Sequence, residues 1–206
     1  MKVLLTGSMG NVGSNCVRCL LQQNHEVRCF DIRTKANEKR SRKFAGRIEM
    51  VWGCLTRPDD VSAIVKDVEA IIHLGFMLPP LTDEHPEKAQ AVNVGGTRLL
   101  IEAAMKQPVP PKFIFASSFS VYGATQHMPP PRTASEPTNP SDNYTRHKVE
   151  CEEATRNSGL DWCIVRLGLV PPRSMGGFSP KMFDAPAGAR NHNNFSSQPE
   201  IHIHSC

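Results

Sequence analysis

The feature that most narrows the folds open to this chain is an alternation. Short runs rich in Val, Ile and Leu, several of them apolar throughout, are separated by helix-like stretches along most of the sequence. A strand with no polar face fits a sheet covered by helices on both sides. Strands are predicted at Val3–Thr6, Glu26–Asp31, Ile48–Trp52, Ala70–Leu74, Lys112–Ser117 and Trp162–Leu167. Helices are predicted at Asn11–Gln23, Lys35–Ala45, Pro58–Lys66, Pro86–Met105 and Asp142–Asn157. Pro58 and Pro86 stand where helices should begin, and Pro108, Pro110 and Pro111 divide a helix from a strand. Strand-helix alternation implies right-handed crossovers and a doubly wound parallel α/β sheet of about six strands.

Composition excludes several function classes. With 39% hydrophobic and 21% charged residues the chain can build a core, and 206 residues amount to one domain and part of a second. A net charge of +4 is far from the dense basic stripe of a nucleic-acid binder. No apolar run reaches the length of a membrane span. The N-terminus turns polar and glycine-rich by Thr6-Gly7, too soon for a signal peptide. Without an export signal, the seven cysteines read as reduced thiols, which predicts a cytoplasmic protein. Cys16 and Cys19 have half a zinc spacing, yet they share a predicted helix with Val12, Val17, Leu20 and Leu21, so they read as packing. His202, His204 and Cys206 alternate in a polar tail with no scaffold, and no metal site is predicted there or elsewhere.

Two places carry chemistry. Gly7-Ser-Met-Gly10-Asn-Val-Gly13 follows the first strand and opens the first helix. Glycines permit a tight turn and the close approach of backbone to a phosphate, and the helix start offers N–H groups and a positive dipole end to a diphosphate. Asp31 ends the second strand, where a carboxylate can accept both hydroxyl protons of an adenosine ribose and repel a 2′-phosphate. Arg33 and the basic stretch after it pull toward that phosphate, and Asp31 outweighs them, giving NAD in preference to NADP. The second place is Tyr144-Thr-Arg-His-Lys148, whose ends share a helix face. A free phenol has a pKa of about 10, and a neighbouring Lys cation favours the phenolate. Ser118, beyond the fifth strand, can donate to a substrate oxygen.

Together these residues resemble the short-chain dehydrogenase/reductase superfamily, and within it the extended branch, the NAD-dependent epimerase/dehydratase family. The resemblance runs from Met1 to about Pro172. It rests on Gly7/Gly10/Gly13, Asp31, Ile71-Ile-His-Leu74, Asn93-Val-Gly-Gly-Thr97, Ser117-Ser-Phe-Ser-Val-Tyr-Gly123, Tyr144/Lys148 and Arg166-Leu-Gly168. It implies a Rossmann-like domain in which Gly10, Asn11 and Val12 touch the diphosphate and Asp31 the ribose. Leu74 and Gly75 would lie along the cofactor, and Asn93 would support the site from the fourth helix. Tyr144 would be the base, Lys148 would hold the nicotinamide ribose and lower the tyrosine pKa, and Ser118 would orient the substrate hydroxyl.

The departures are equally specific. Cys54, followed by Leu55, stands where the family has an acidic residue contacting adenine, which weakens that contact or moves it to backbone. Thr145 and His147 replace a Gly and a Ser inside the Tyr-Lys motif and are expected to face away from the chemistry. Leu169 replaces an Asn that relatives acting on nucleotide sugars use, which weakens the case for such a substrate. The residues after Pro172 are too few and too polar for the family's substrate-closing segment. The sequence therefore reads as a truncated or frame-altered member, with 1–172 the cofactor domain and 173–206 an incomplete remnant ending in a poorly ordered tail. The expected activity is oxidation of a secondary alcohol, in a sugar or nucleotide sugar, by Tyr144 with hydride passing to NAD. Extended-branch relatives often pair, so a homodimer is expected by resemblance. The alternatives are a non-catalytic NAD(P)-binding regulatory module and an inactive fragment.

Overall fold

The sheet has the order β3-β2-β1-β4-β5-β6, with β1 (Lys2–Thr6), β2 (Glu26–Asp31), β3 (Glu49–Trp52), β4 (Ala70–His73), β5 (Lys112–Ser118) and β6 (Trp162–Leu167) all parallel. This computed structural model describes residues 1–124, 133–168 and 170. The readings at Leu169, at 173–206 and at His202, His204 and Cys206 lie outside the described residues. Strand order reverses beside β1, which pairs with β2 on one side and β4 on the other. Chain leaving β1 and β4 must therefore diverge to opposite faces, opening a crevice at the carboxyl edge.

Neighbouring residues of β1 feed separate cores, as apolar-throughout strands require. Leu4 packs with Phe30, Ile71, Phe113 and Phe115 beneath Ile64 and Leu100, whereas Leu5 packs with Val27 and Cys29 against Val17 and Phe44. Leu4 and Leu5 are both wholly buried. Burying each stabilises the fold by roughly 1.5–3 kcal/mol.

The helices follow local signals. α1 (Asn11–Gln22) starts at the glycine turn and buries Gly13 and Val17. Cys16 packs half-buried against the Leu5 core, while Cys19 is exposed. α2 (Lys35–Ser41) is capped by Thr34, whose hydroxyl accepts from the Asn37 amide at 3.1 Å. It stops short of the predicted Ala45, and a 3-10 turn over Arg42–Phe44 replaces its end. α3 (Pro58–Ile64) begins on proline with Asp59 and Asp60 in its first turn. A short α4 (Leu81–Glu84) was not predicted, since four residues carry no helical period.

The predicted Pro86–Met105 helix is continuous but not uniform. α5 (Pro86–Gln90) passes through a π turn at Ala91–Gly95 into α6 (Gly96–Met105). α7 (Asn143–Arg156) opens with a capping box: the Asp142 carboxylate accepts from the Thr145 amide at 2.7 Å, and the Thr145 hydroxyl accepts from the Asp142 amide at 3.1 Å.

Candidate active site

Gly7 has φ +62°, and a Cβ there would lie 2.8 Å from Gly75 N and Leu74 C. The turn after β1 and the chain after β4 thus meet backbone to backbone at the point of strand reversal. A Cβ on Gly13 would strike the Gly7 carbonyl and Ser8, so glycine lets α1 sit tight on the turn. Gly10 N donates to Gly7 O at 3.1 Å, closing the loop. No side chain caps α1, and its first turn, where Asn11 and Val12 stand, has no acid. A Cβ-free turn leading into an uncapped helix start suits a diphosphate.

Asp31 ends β2 facing this turn. Its Oδ2 accepts from Met9 N at 2.7 Å; its Oδ1 accepts from Ile32 N at 2.8 Å and Asn37 Nδ2 at 3.1 Å. A carboxylate offers about four acceptor sites. Oδ1 is therefore filled and Oδ2 keeps one, which corrects the expectation that Asp31 takes both ribose protons: there is room for one. Burial pushes the Asp31 carboxyl above its usual range, partly offset by the Met9 and Ile32 amides and the Arg40 charge. Arg33 is exposed and paired with Glu38 at 2.7 Å. Cys54 and Leu55 are buried, and the Cys54 amide donates to Asp60 Oδ2 at 2.9 Å. The Cys54 amide is therefore already engaged, which bears on neither the weakened contact nor a backbone contact made through Leu55.

On the other side of the crevice, the Thr6 hydroxyl accepts from Leu74 N at 3.2 Å and Gly75 N at 3.1 Å. The same hydroxyl lies 2.7 Å from His73 Nδ1, and His73 Nε2 lies 2.9 Å from Thr97 Oγ1. Burial, with the nearby Lys148 charge, lowers the His73 pKa to about 3, so it is a neutral bridge between β1 and α6. In the π turn, Asn93 Oδ1 accepts from Met77 N at 2.6 Å and its Nδ2 donates to Met77 O at 3.1 Å. The extra residue of the wide turn aims this carboxamide at the loop after β4. Asn93 therefore ties the π turn to the loop after β4. Against expectation, His147 does not face away: its Nδ1 lies 3.3 Å from Asn93 Nδ2. Thr145 turns into the helix cap.

Ser118, Tyr144 and Lys148 come together where β5 meets α7. Ser118 caps a 3-10 turn over Phe119–Tyr122, accepting from Ser120 N at 3.2 Å. Burial pushes the Tyr144 phenol above its ordinary value, the neighbouring Ser118 hydroxyl opposes this, and Asp142 adds to it. The expectation that Lys148 lowers the tyrosine pKa is corrected by where the ammonium points. Lys148 Nζ donates to Ala116 O at 2.6 Å and sits 3.5 Å from the centre of the Phe76 ring, but 5.7 Å from that of Tyr144. Phe76 also meets Tyr144 edge-on at 5.8 Å. Lys148 is only 4% exposed, which rules out an ordinary surface pair. Burial lowers its pKa to about 7, against the pull of Cys151 and Glu152.

Beneath the trio lies a buried carboxylate. Glu152 Oε1 accepts from Ser117 Oγ and Arg166 Nε, and its Oε2 accepts from Arg166 Nη2 and Arg156 Nη2, both at 2.7 Å. Arg166 also donates to the Tyr122 hydroxyl at 2.7 Å, which donates to Thr133 O at 2.8 Å. This network ties β5, β6, α7 and the chain after Ser118 into one unit. Phe76, Asn37 and Glu152 went unmarked in the sequence; an acid two turns after Tyr144 on a core-facing helix was the available signal for Glu152.

Strand order, glycine turn and side-chain trio define a nucleotide-binding α/β protein of the doubly wound class. Residues 3–184 match the family model described as the NAD dependent epimerase/dehydratase family, and the chain belongs to that family. It is 32% identical over 179 residues to a 3 beta-hydroxysteroid dehydrogenase/Delta 5-->4-isomerase of Mycobacterium tuberculosis, covering 80% of this chain and 46% of that one. A short-chain dehydrogenase/reductase superfamily protein from Agrobacterium tumefaciens, solved with bound NAD, superposes with TM-score 0.67 at 32% identity, covering 81% of this chain and 48% of that one. The UDP-Glc/GlcNAc 4-epimerase of Campylobacter jejuni gives TM-score 0.70 at 27% identity, covering 80% and 52%. The chain spans about half the length of the curated relatives it first matches. Among the described residues no helix is long and apolar enough to cross a membrane, and no three His, Cys, Asp or Glu side chains are grouped to hold a metal.

Proposed function

We propose that the chain forms the cofactor-binding and catalytic part of an NAD-dependent oxidoreductase that acts on a secondary alcohol. The observation carrying this reading is the convergence of Ser118, Tyr144 and Lys148 at the carboxyl edge of β5, on the crevice opened by the glycine turn. The residues fit the cofactor: Gly7 and Gly13 let the turn close backbone to backbone ahead of an uncapped helix start, and Asp31 keeps one acceptor site for a ribose hydroxyl. Gly7, Gly10, Asn11, Val12 and Gly13 would hold the diphosphate, with Leu74 and Gly75 beside the nicotinamide half. Bound NAD would supply the hydride acceptor and a positive ring that favours the phenolate.

The chain's own groups would do the rest. Ser118 donates to the substrate oxygen and fixes the alcohol near Tyr144. Tyr144 Oη takes the hydroxyl proton, and general base catalysis of this kind contributes about 10²–10⁴-fold. Lys148 would leave Ala116 O to hold a ribose hydroxyl, and a pKa near 7 lets it pass a proton at neutral pH. The matched relatives are named for a hydroxysteroid and for nucleotide sugars, and a secondary alcohol is common to those chemistries. We assign the substrate no more finely than a sugar, nucleotide-sugar or sterol alcohol.

The test is NAD binding by calorimetry, followed by NAD reduction with a panel of such alcohols, for wild type and Tyr144→Phe. Turnover lost in the variant with binding kept supports the reading. Binding without turnover in either protein would retire the enzymatic assignment for this chain.

A further inference from the structure

Asp31 is held by more than its own strand. Asn37, on the inner face of α2 and 9% exposed, is bonded at both its backbone and side chain. Its amide donates to Thr34 Oγ1, and its Nδ2 donates to Asp31 Oδ1 at 3.1 Å and Ile32 O at 3.0 Å. One helical turn later, Arg40 Nη1 donates to Met9 O at 3.0 Å, while Met9 N donates to Asp31 Oδ2 at 2.7 Å. The Met9 peptide is thus gripped from both ends, by α2 at its oxygen and by Asp31 at its nitrogen. A carboxylate on a bare strand end could turn about its terminal torsion, which is broad and two-fold. Here three N–H groups fix it with Oδ1 filled and one Oδ2 site left.

We propose that Asn37 is a positioning residue for cofactor choice: by filling Asp31 Oδ1 it locks the carboxylate in the orientation that accepts one adenosine-ribose hydroxyl and turns a negative oxygen toward a 2′-phosphate. The inference rests on the reading of Asp31 as the ribose acceptor. Without the Asn37 carboxamide only the Met9 and Ile32 amides hold the carboxylate, and its orientation is fixed less tightly against the pull of Arg40. The phosphate then meets less repulsion, and the hydroxyl loses a fixed partner. Selectivity in this site comes from rigidity as much as from charge.

The experiment measures Kd for NAD and for NADP by calorimetry on the 206-residue chain. The proteins are wild type, Asn37→Ala, the near-isosteric Asn37→Leu, Asp31→Ala, and Asn37→Ala in the Asp31→Ala background, each checked for folding by its melting curve. Losing one of the three orienting bonds, with two left in place, should lower the NADP-to-NAD ratio of Kd values about three- to tenfold in both Asn37 variants, the effect of an ordinary hydrogen bond. In the Asp31→Ala background the same substitution should leave the ratio unchanged, because the residue it positions is gone. An unaltered ratio in the single variants, or an equal fall in both backgrounds, overturns the proposal. If wild type has no preference for NAD, or Asp31→Ala does not alter it, the reading of Asp31 itself fails and takes this inference with it.

Discussion

Replacing Arg166 with Met removes the guanidinium that clasps Glu152 while keeping the side chain's bulk. The Glu152 side chain is 1% exposed and that of Arg166 12%, so the pair is desolvated, whereas Arg156, the other cation on Glu152, is 40% exposed. Removing one partner of a buried pair costs about 3–5 kcal/mol. Ser117 and Arg156 still hold the carboxylate, so the cost falls just below that range, at about 2–3 kcal/mol. At 2–4 °C per kcal/mol for a chain of this size, the melting temperature at pH 7 should fall by about 4–12 °C. Arg156→Met, breaking a more exposed contact, should cost under about 1 kcal/mol.

The pH dependence gives the same reasoning a second test. Burial alone would raise the Glu152 carboxyl, but the bonds from Arg166, Ser117 and Arg156 outweigh it and hold the group below its ordinary value. A carboxyl depressed in the fold contributes stability that is complete above its unfolded pKa, about 4.3, and is lost as pH falls through the folded value. The gap between wild type and Arg166→Met should therefore be widest near neutrality and shrink below about pH 4. Thermal melts from pH 3 to 7 read both quantities. A constant gap, or an Arg156→Met loss as large as that of Arg166→Met, would refute the idea that desolvation sets the energy here.

Other outcomes follow from the crevice. Gly13→Ala should abolish detectable NAD binding and lower the melting temperature, since its methyl has no space between α1 and the Gly7 carbonyl; unchanged titration calorimetry would contradict that packing. The His73 pKa is depressed to about 3 in the fold, so between about 6.5 and 3 the unfolded chain binds a proton that the folded one does not. Wild-type stability should consequently fall on acidification through that window, and His73→Gln, compared by urea unfolding, should lack that part of the slope. Lys148, depressed to about 7, works in the alkaline range: the unfolded chain binds more protons from about 7 to 10.4, so wild type should gain stability relative to Lys148→Met as pH rises. Melts at pH 7 and pH 10 that differ equally for both proteins would argue that the ammonium is not buried.

The strands were legible because most are runs rich in Val, Ile, Leu and Phe bounded by turn residues, and β2 and β6 fall where the sequence put them. The glycine turn and the Tyr-Lys spacing were legible for a related reason: both are local, set by residues within one turn or one helix face. What the sequence could not display was direction and partnership across long separations. Lys148 and Ala116 belong to different elements, so the ammonium's turn toward that carbonyl and toward Phe76 has no local trace. The same holds for Asn37 on Asp31 and for the Cys54 amide on Asp60. The π turn is hidden because its composition differs little from the helix around it; only the buried Asn93 hints at it.

That wide turn makes the helix a register device. Thr97, Leu100 and Ala104 are buried on one side of α6, while Asn93 reaches the loop after β4, and the surplus residue between them is what lets both aims hold. Deleting one residue from Ala91–Gly95 would swing everything downstream by about 100°, the angular step of a helix of 3.6 residues per turn. Either the greasy side of α6 would then roll into water or Asn93 would release Met77. A length change of this kind should therefore be far more damaging than most single substitutions in the same stretch.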